Sequence, residues 1–128
     1  MKRATDKSQY EKLIKAGFDV APDMMLCYTT RTDKPNPRLE DYCESTAKSS
    51  RLFICPAWSL SLLIESLPKF TYYGWFAIEW KRRTQTYFVG YQDDEGAFMK
   101  AFPQPDLLDA VFYTLLWTLE HPEVVTQA

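Results

Sequence analysis

The chain has 128 residues, enough for one domain that buries its own core without metal or disulfide staples. Its 46% hydrophobic and 25% charged residues exclude a disordered chain, and no apolar run approaches the roughly 18 residues needed to span a bilayer. Fifteen basic residues face seventeen acidic ones, for a formal charge of −2, so the overall basic excess usual in nucleic-acid binders is missing.

Aromatic residues reach 16%, with four Trp, eight Tyr and eight Phe. That exceeds the needs of a small core, so some rings are expected at the surface, where they mark contact surfaces. Three cysteines, Cys27, Cys43 and Cys55, are odd in number and widely spaced. With no apolar signal segment in "MKRATDKSQYEK", they imply a soluble protein in a reducing, intracellular compartment.

The first predicted helix lies in "TDKSQYEKLIKAGFD". Ser8 and Glu11 have capping-box spacing, and Tyr10, Leu13 and Ile14 form an apolar stripe. Gly17 stands where a left-handed residue ends a helix, and Phe18 follows where it can fold back on Leu13. "MMLCYTT" reads as a strand. Residues 30–50 read as a polar connection or flap, with Asn36 and Pro37 placed to cap and open a short helix. "RLFIC" reads as a second strand.

"PAWSLSLLIESLP" reads as a complete short helix. Ser59 is its N-cap, and Trp58 and Leu63 are spaced as a hydrophobic staple. Leu60, Leu63, Ile64 and Leu67 share one face, and Pro68 stops the helix. The alternative is that Trp58 edges a pocket.

"YYGWFAIEWKRR" alternates, with Tyr72, Phe76, Ile78 and Trp80 on one face and Tyr73, Trp75, Ala77, Glu79 and Lys81 on the other. Aromatics on both faces suggest a strand covered on both sides. "TQTYFVGYQ" is its hairpin partner across a turn near Arg83 and Thr84, "DDEG" is a further turn, and "AFMKAF" completes a three-strand meander. A helix follows from "QPDLLDAVFYTLLWTLEHP", capped by Asp106 and assisted by Asp109. Its stripe of Leu107, Leu108, Val111, Phe112, Leu115, Leu116 and Leu119 should anchor the domain.

Catalytic and metal signatures are weak. One His and no C-x-x-C pair give no zinc pattern, so Cys27 and Cys55 read as small buried hydrophobes. A Cys–His nucleophile would have to use His121, which reads better as a helix C-terminal residue. Four isolated glycines build no phosphate cradle. Asp93, Asp94 and Glu95 read as a solvated turn rather than a cation loop. Neither a metal nor another cofactor is expected.

"KLIKAGFD", "APDMM", "PAWSLSLLIESLP" and "DAVFYTLLWTLE" together resemble a group of small uncharacterised proteins encoded in prophages and conjugative elements of gut Bacteroidales. This chain departs from their Ala-Asp-Met segment by placing Pro22 between Ala21 and Asp23. The resemblance rests on caps and core faces, carries over no catalytic residue, and implies a mobile-element protein in the cytoplasm of a bacterial host.

The expectation is one α+β domain over residues 1–128, an antiparallel sheet with about three helices mainly on one face. The leading functional reading is a non-enzymatic module that binds another protein through aromatic side chains. Tyr73, Trp75 and Tyr87, with Lys81, Arg82 and Arg83 at a hairpin tip, are the candidate surface. The alternative is single-stranded nucleic-acid binding, with Tyr72, Tyr73, Trp75, Trp80, Tyr87 and Tyr91 as a stacking platform beside the basic tip. An enzyme with an unfamiliar site would require a concave pocket holding titratable groups.

Overall fold

The computed structural model describes residues 2–28, 38–49 and 53–125. Their order is α1 (Lys7–Lys15), β1 (Met24–Cys27), β2 (Arg38–Asp41), α2 (Glu44–Ser49), β3 (Phe53–Ala57), α3 (Leu60–Ser66), β4 (Phe70–Thr71), β5 (Gly74–Lys81), β6 (Thr86–Gln92), β7 (Phe98–Gln104) and α4 (Leu107–Glu120). The fold is α+β. One antiparallel sheet has the order β2-β1-β3, and a second, in the C-terminal half, has the order β4-β5-β6-β7.

The N-cap of α1 is Asp6, not Ser8. Asp6 Oδ1 accepts from the Gln9 N–H at 2.8 Å, and Gln9 Oε1 accepts from the Asp6 N–H at 3.1 Å. A reciprocal box therefore forms two residues upstream of the Ser8–Glu11 pair, where a carboxylate outcompetes the hydroxyl as acceptor. The other end follows the expected pattern. Gly17 adopts φ +92°, its N–H donates to Ile14 O at 3.0 Å, and the Phe18 N–H donates to Leu13 O at 2.9 Å. Leu13 and Phe18 enter the core, whereas Ile14 remains 48% exposed.

The polar stretch 30–50 contains more order than a flap requires. Arg38–Asp41 adds to the outer edge of β1, in register from Met24 opposite Asp41 to Cys27 opposite Arg38, and Glu44–Ser49 is helical. Charged β2 side chains suit an edge that must not recruit further strands. The Asn36–Pro37 cap lies outside the described residues.

The centre of the molecule is assembled by α1, α3 and α4. Leu13, Phe18, Trp58, Leu63, Leu67, Val89, Leu108, Val111, Phe112 and Leu115 form one buried cluster. Ser59 caps α3, accepting from the Leu62 N–H at 3.2 Å, and Leu67, just before Pro68, turns extended. Trp58 is 1% exposed; its indole donates to Val20 O at 2.8 Å and packs on Tyr10 and Phe18 at centroid distances of 5.2 and 4.8 Å. The ring thus clamps α1 and the segment after it as well as the start of α3.

α4 lies over β6 and β7 on one face of the larger sheet, and α3 packs on α4. Thr114 Oγ1 donates to Ala110 O at 2.7 Å, satisfying a polar side chain buried in this layer. Asp106 Oδ1 accepts from the Leu108 and Asp109 N–H groups at 3.0 and 3.4 Å. Asp109 does more than favour a helix end: its Oδ1 accepts from Lys2 Nζ at 2.9 Å and Gln9 Nε2 at 2.7 Å, tying α4 to the N-terminal segment and α1.

Candidate functional site

The larger sheet sorts its aromatics by register. Phe76 faces Tyr91, Ile78 faces Val89, and Trp80 faces Tyr87; on the next strand, Val89 faces Phe102 and Tyr91 faces Lys100. These alternate positions share the face over which α4 lies. Tyr91 is fully buried and donates its hydroxyl to Pro68 O at 2.8 Å. Burial pushes its phenol well above the usual range. Tyr91 therefore belongs to the core and not to a surface platform. Trp117 lies among Tyr73, Tyr91 and Phe102 at centroid distances of 5.6, 6.0 and 5.7 Å.

Trp75, Ala77, Glu79 and Lys81 point the other way, together with Phe88 and Gly90 of β6 and Ala101 and Pro103 of β7. Among the described residues no helix packs on this second face, and Gly90 is the one buried residue in that set. Trp75 is 54% exposed and tilts onto Phe70 at 4.7 Å. Phe88 and Phe98 are half-buried, 5.9 Å apart, and Met99 beside them is 55% exposed. The expected cover on both faces of β5 is absent among the described residues; its aromatics are left standing in water instead.

The candidate residues therefore divide. Trp75 and Lys81 share the open face, at opposite ends of an eight-residue strand. Lys81 Nζ is 2.9 Å from Glu79 Oε1 and 5.4 Å from the centroid of Phe88. Tyr87 is on the helix-covered face, half-buried and 4.7 Å from Trp80. Tyr73 lies in the turn between β4 and β5, 39% exposed, against Trp117. Arg82 and Arg83 are exposed in the turn between β5 and β6, close in sequence to Lys81 and far from Tyr73.

Two features escaped the sequence reading. One is the exposure of Met99 next to Phe98, at a register irregularity in β7 that alternation does not foresee. The other is the shortness of β4, only Phe70–Thr71, which leaves most of β5 with a neighbour on one side only. Pro68, two residues before β4, was the available signal.

The titratable groups elsewhere read as structural. Burial pushes the Cys55 thiol up to about 11, with nearby Lys7 pulling the other way. Burial and the neighbouring Glu40 also raise Cys27. Both are poor nucleophiles at neutral pH. Among the described residues, no group of three or more His, Cys, Asp or Glu side chains is placed to hold a metal ion. The Asp93–Gly96 segment is a turn in which Asp93 Oδ1 accepts from the Glu95 and Ala97 N–H groups at 2.9 and 3.0 Å. His121 is exposed, and its Nδ1 lies 3.1 Å from Trp117 O, at the end of α4. A surface depression of about 410 Å³ between Lys12, Lys15, Leu116 and Glu120 lies apart from the aromatic strands.

These features define an α+β domain with a one-sided helical cover and an open sheet face. Comparison with protein-family models, curated proteins and solved structures finds no match to the chain. Among the described residues, no helix is long and apolar enough to cross a membrane.

Proposed function

We propose that this protein acts by binding another protein through the open face of its larger sheet. The observation that supports the reading is the exposure of Trp75 and Met99 beside half-buried Phe88 and Phe98, on a face without a helix among the described residues. Fully burying a large apolar side chain contributes about 1.5–3 kcal/mol. Trp75 and Met99 are each about half exposed, so a partner covering them gains roughly half of that per residue. Lys81 and Glu79, at the other end of the strand beside Phe88, supply a polar rim, as contact surfaces usually have. The resemblance of the chain to mobile-element proteins makes this an accessory role in the host cytoplasm.

Site-specific photo-crosslinking in the producing cells tests the reading. A photoreactive residue at Met99 should give a defined polypeptide adduct, and one at Glu11, exposed on α1, should not. No adduct at Met99, or equal adducts at both positions, removes the proposal.

A second reading, single-stranded nucleic acid, draws on Lys81 over the Phe88 ring with Arg82 and Arg83 exposed at the same strand end. It requires affinity for single-stranded oligonucleotides that falls steeply with salt. Unchanged fluorescence anisotropy of such probes at low salt would dispose of it.

A further inference from the structure

The free edge of β5 carries an inference independent of the open face. The Phe76 N–H donates to Lys69 O at 2.9 Å, so the backbone groups of Phe76 point away from β6. Strand period then directs the N–H and C=O of Ile78 and Trp80 to the same side. Among the described residues no strand pairs with them there, because β4 begins only at Phe70, opposite Trp75, and the Pro68 carbonyl just before it is turned in to the buried Tyr91 hydroxyl. Ile78 and Trp80 are also 41% and 47% exposed. What this edge lacks is backbone donors and acceptors at strand spacing beside apolar side chains, which another strand supplies.

We propose that two copies of this chain pair antiparallel along β5, joining their larger sheets into one continuous sheet. The edge is self-complementary in one register. A twofold axis through Glu79 sets Ile78 opposite the second copy's Trp80 and the reverse, and each of these pairs exchanges two backbone hydrogen bonds. Registers centred on Ile78 or Trp80 instead use groups already bonded to Lys69 or lying in the turn. On the helix-covered face, the exposed Ile78 and Trp80 side chains cover each other across the axis. On the open face, two Glu79 carboxylates meet at the axis, a repulsive contact in isolation. Each already holds its own Lys81 at 2.9 Å, and each Lys81 lies diagonal to the second copy's Glu79. The result is an alternating ring of two acids and two bases. This charge complementarity and the unbonded backbone favour a second copy over an unrelated strand.

Sedimentation velocity of the full chain across roughly 1 µM to 1 mM tests the pairing. The expected result is a concentration-dependent dimer. Ile78→Pro removes one outward donor, and Trp80→Lys puts a charge on the edge; each should leave the circular dichroism spectrum unchanged and the protein monomeric. Glu79→Gln takes both acids out of the ring, leaves the two Lys81 charges uncompensated near the axis, and should weaken the dimer several-fold. If Ile78→Pro disturbs the fold, Trp80→Lys decides. A wild-type monomer throughout, or a dimer unaffected by Trp80→Lys, overturns the proposal. A monomer that still crosslinks at Met99 overturns the pairing and leaves the open-face reading standing.

Discussion

Replacing Trp58 by Ala should remove a large share of the stability of this domain. Its indole is 1% exposed, packs on Tyr10 and Phe18, and donates to Val20 O at 2.8 Å. Truncating a buried aromatic costs about 3–5 kcal/mol, and losing the bond to Val20 adds about 1 kcal/mol. The sum, about 4–6 kcal/mol, compares with a total of about 5–15 kcal/mol for an ordinary domain. Trp58→Phe keeps a ring against Tyr10 and Phe18 but loses the N–H, and should cost about 1–3 kcal/mol. Ser59→Ala should cost about 0.5–2 kcal/mol, because the α3 cap loses its side-chain acceptor while the backbone N–H at that position still reaches Asp23 Oδ1. Urea denaturation followed by far-ultraviolet circular dichroism measures all three. With a slope of about 1–3 kcal/mol per molar urea, Trp58→Ala should shift the midpoint by about 1.3 M or more. A Trp58→Ala midpoint equal to wild type, or one less affected than Ser59→Ala, would refute the clamp and return Trp58 to the candidates for a binding role.

Leu115→Ala should cost about 2–5 kcal/mol, since Leu115 is 1% exposed in the layer between α4 and the sheet; an unchanged denaturation midpoint would contradict this. The Asp6 carboxyl is held below its ordinary value of 3.8: burial opposes ionisation, but the Gln9 N–H and Lys2 more than offset it. Its contribution is therefore present above pH 3.8 and lost as pH falls through the lower folded value, so Asp6→Asn should flatten the acid limb of stability against pH. Lys2 is shifted the opposite way: burial lowers it, and Asp109 and Asp6 more than reverse this, so its contribution holds below 10.5 and fades as pH rises through the raised value. Thiol titration should report three thiols under denaturing, non-reducing conditions but slow reaction of Cys27 and Cys55 in the native protein, and native mass spectrometry should find no bound zinc.

Local chemistry was legible where one residue dominates. Ser59 and Asp106 cap their helices, Gly17 closes α1, and the meander follows from alternation and turn residues. Competition between neighbours was not: Asp6 and Ser8 both fit a cap, and only Asp6 pairs with Gln9. Arg38–Asp41 looked like a connection because an edge strand facing solvent shows almost no apolar period; its strand conformation follows from pairing with β1, a tertiary fact. The β5 aromatics show the limit of periodicity. Alternation assigned them to faces, but covering a face depends on where a helix from elsewhere in the chain settles, and α4 settles over β6 and β7. The candidate surface was therefore recognisable residue by residue, while its division between two faces and two strand ends was not.

The way distant segments are tied has a consequence for synthesis. Ala4 bridges Ser59, the Lys2 N–H donates to Asp106 Oδ2 at 2.9 Å, and Thr71 bridges Val125. α1 and the segments flanking it cannot complete their contacts until Trp58 exists, nor the bonds of Gln9 and Lys2 to Asp109 until α4 has emerged. On the ribosome, the first half of this chain therefore waits with Leu13, Phe18 and Trp58 incompletely covered until Leu108–Leu115 arrive to close the cluster. Such long sequence separations make for slow folding and a lengthy interval in which nascent apolar surface is open to chaperones.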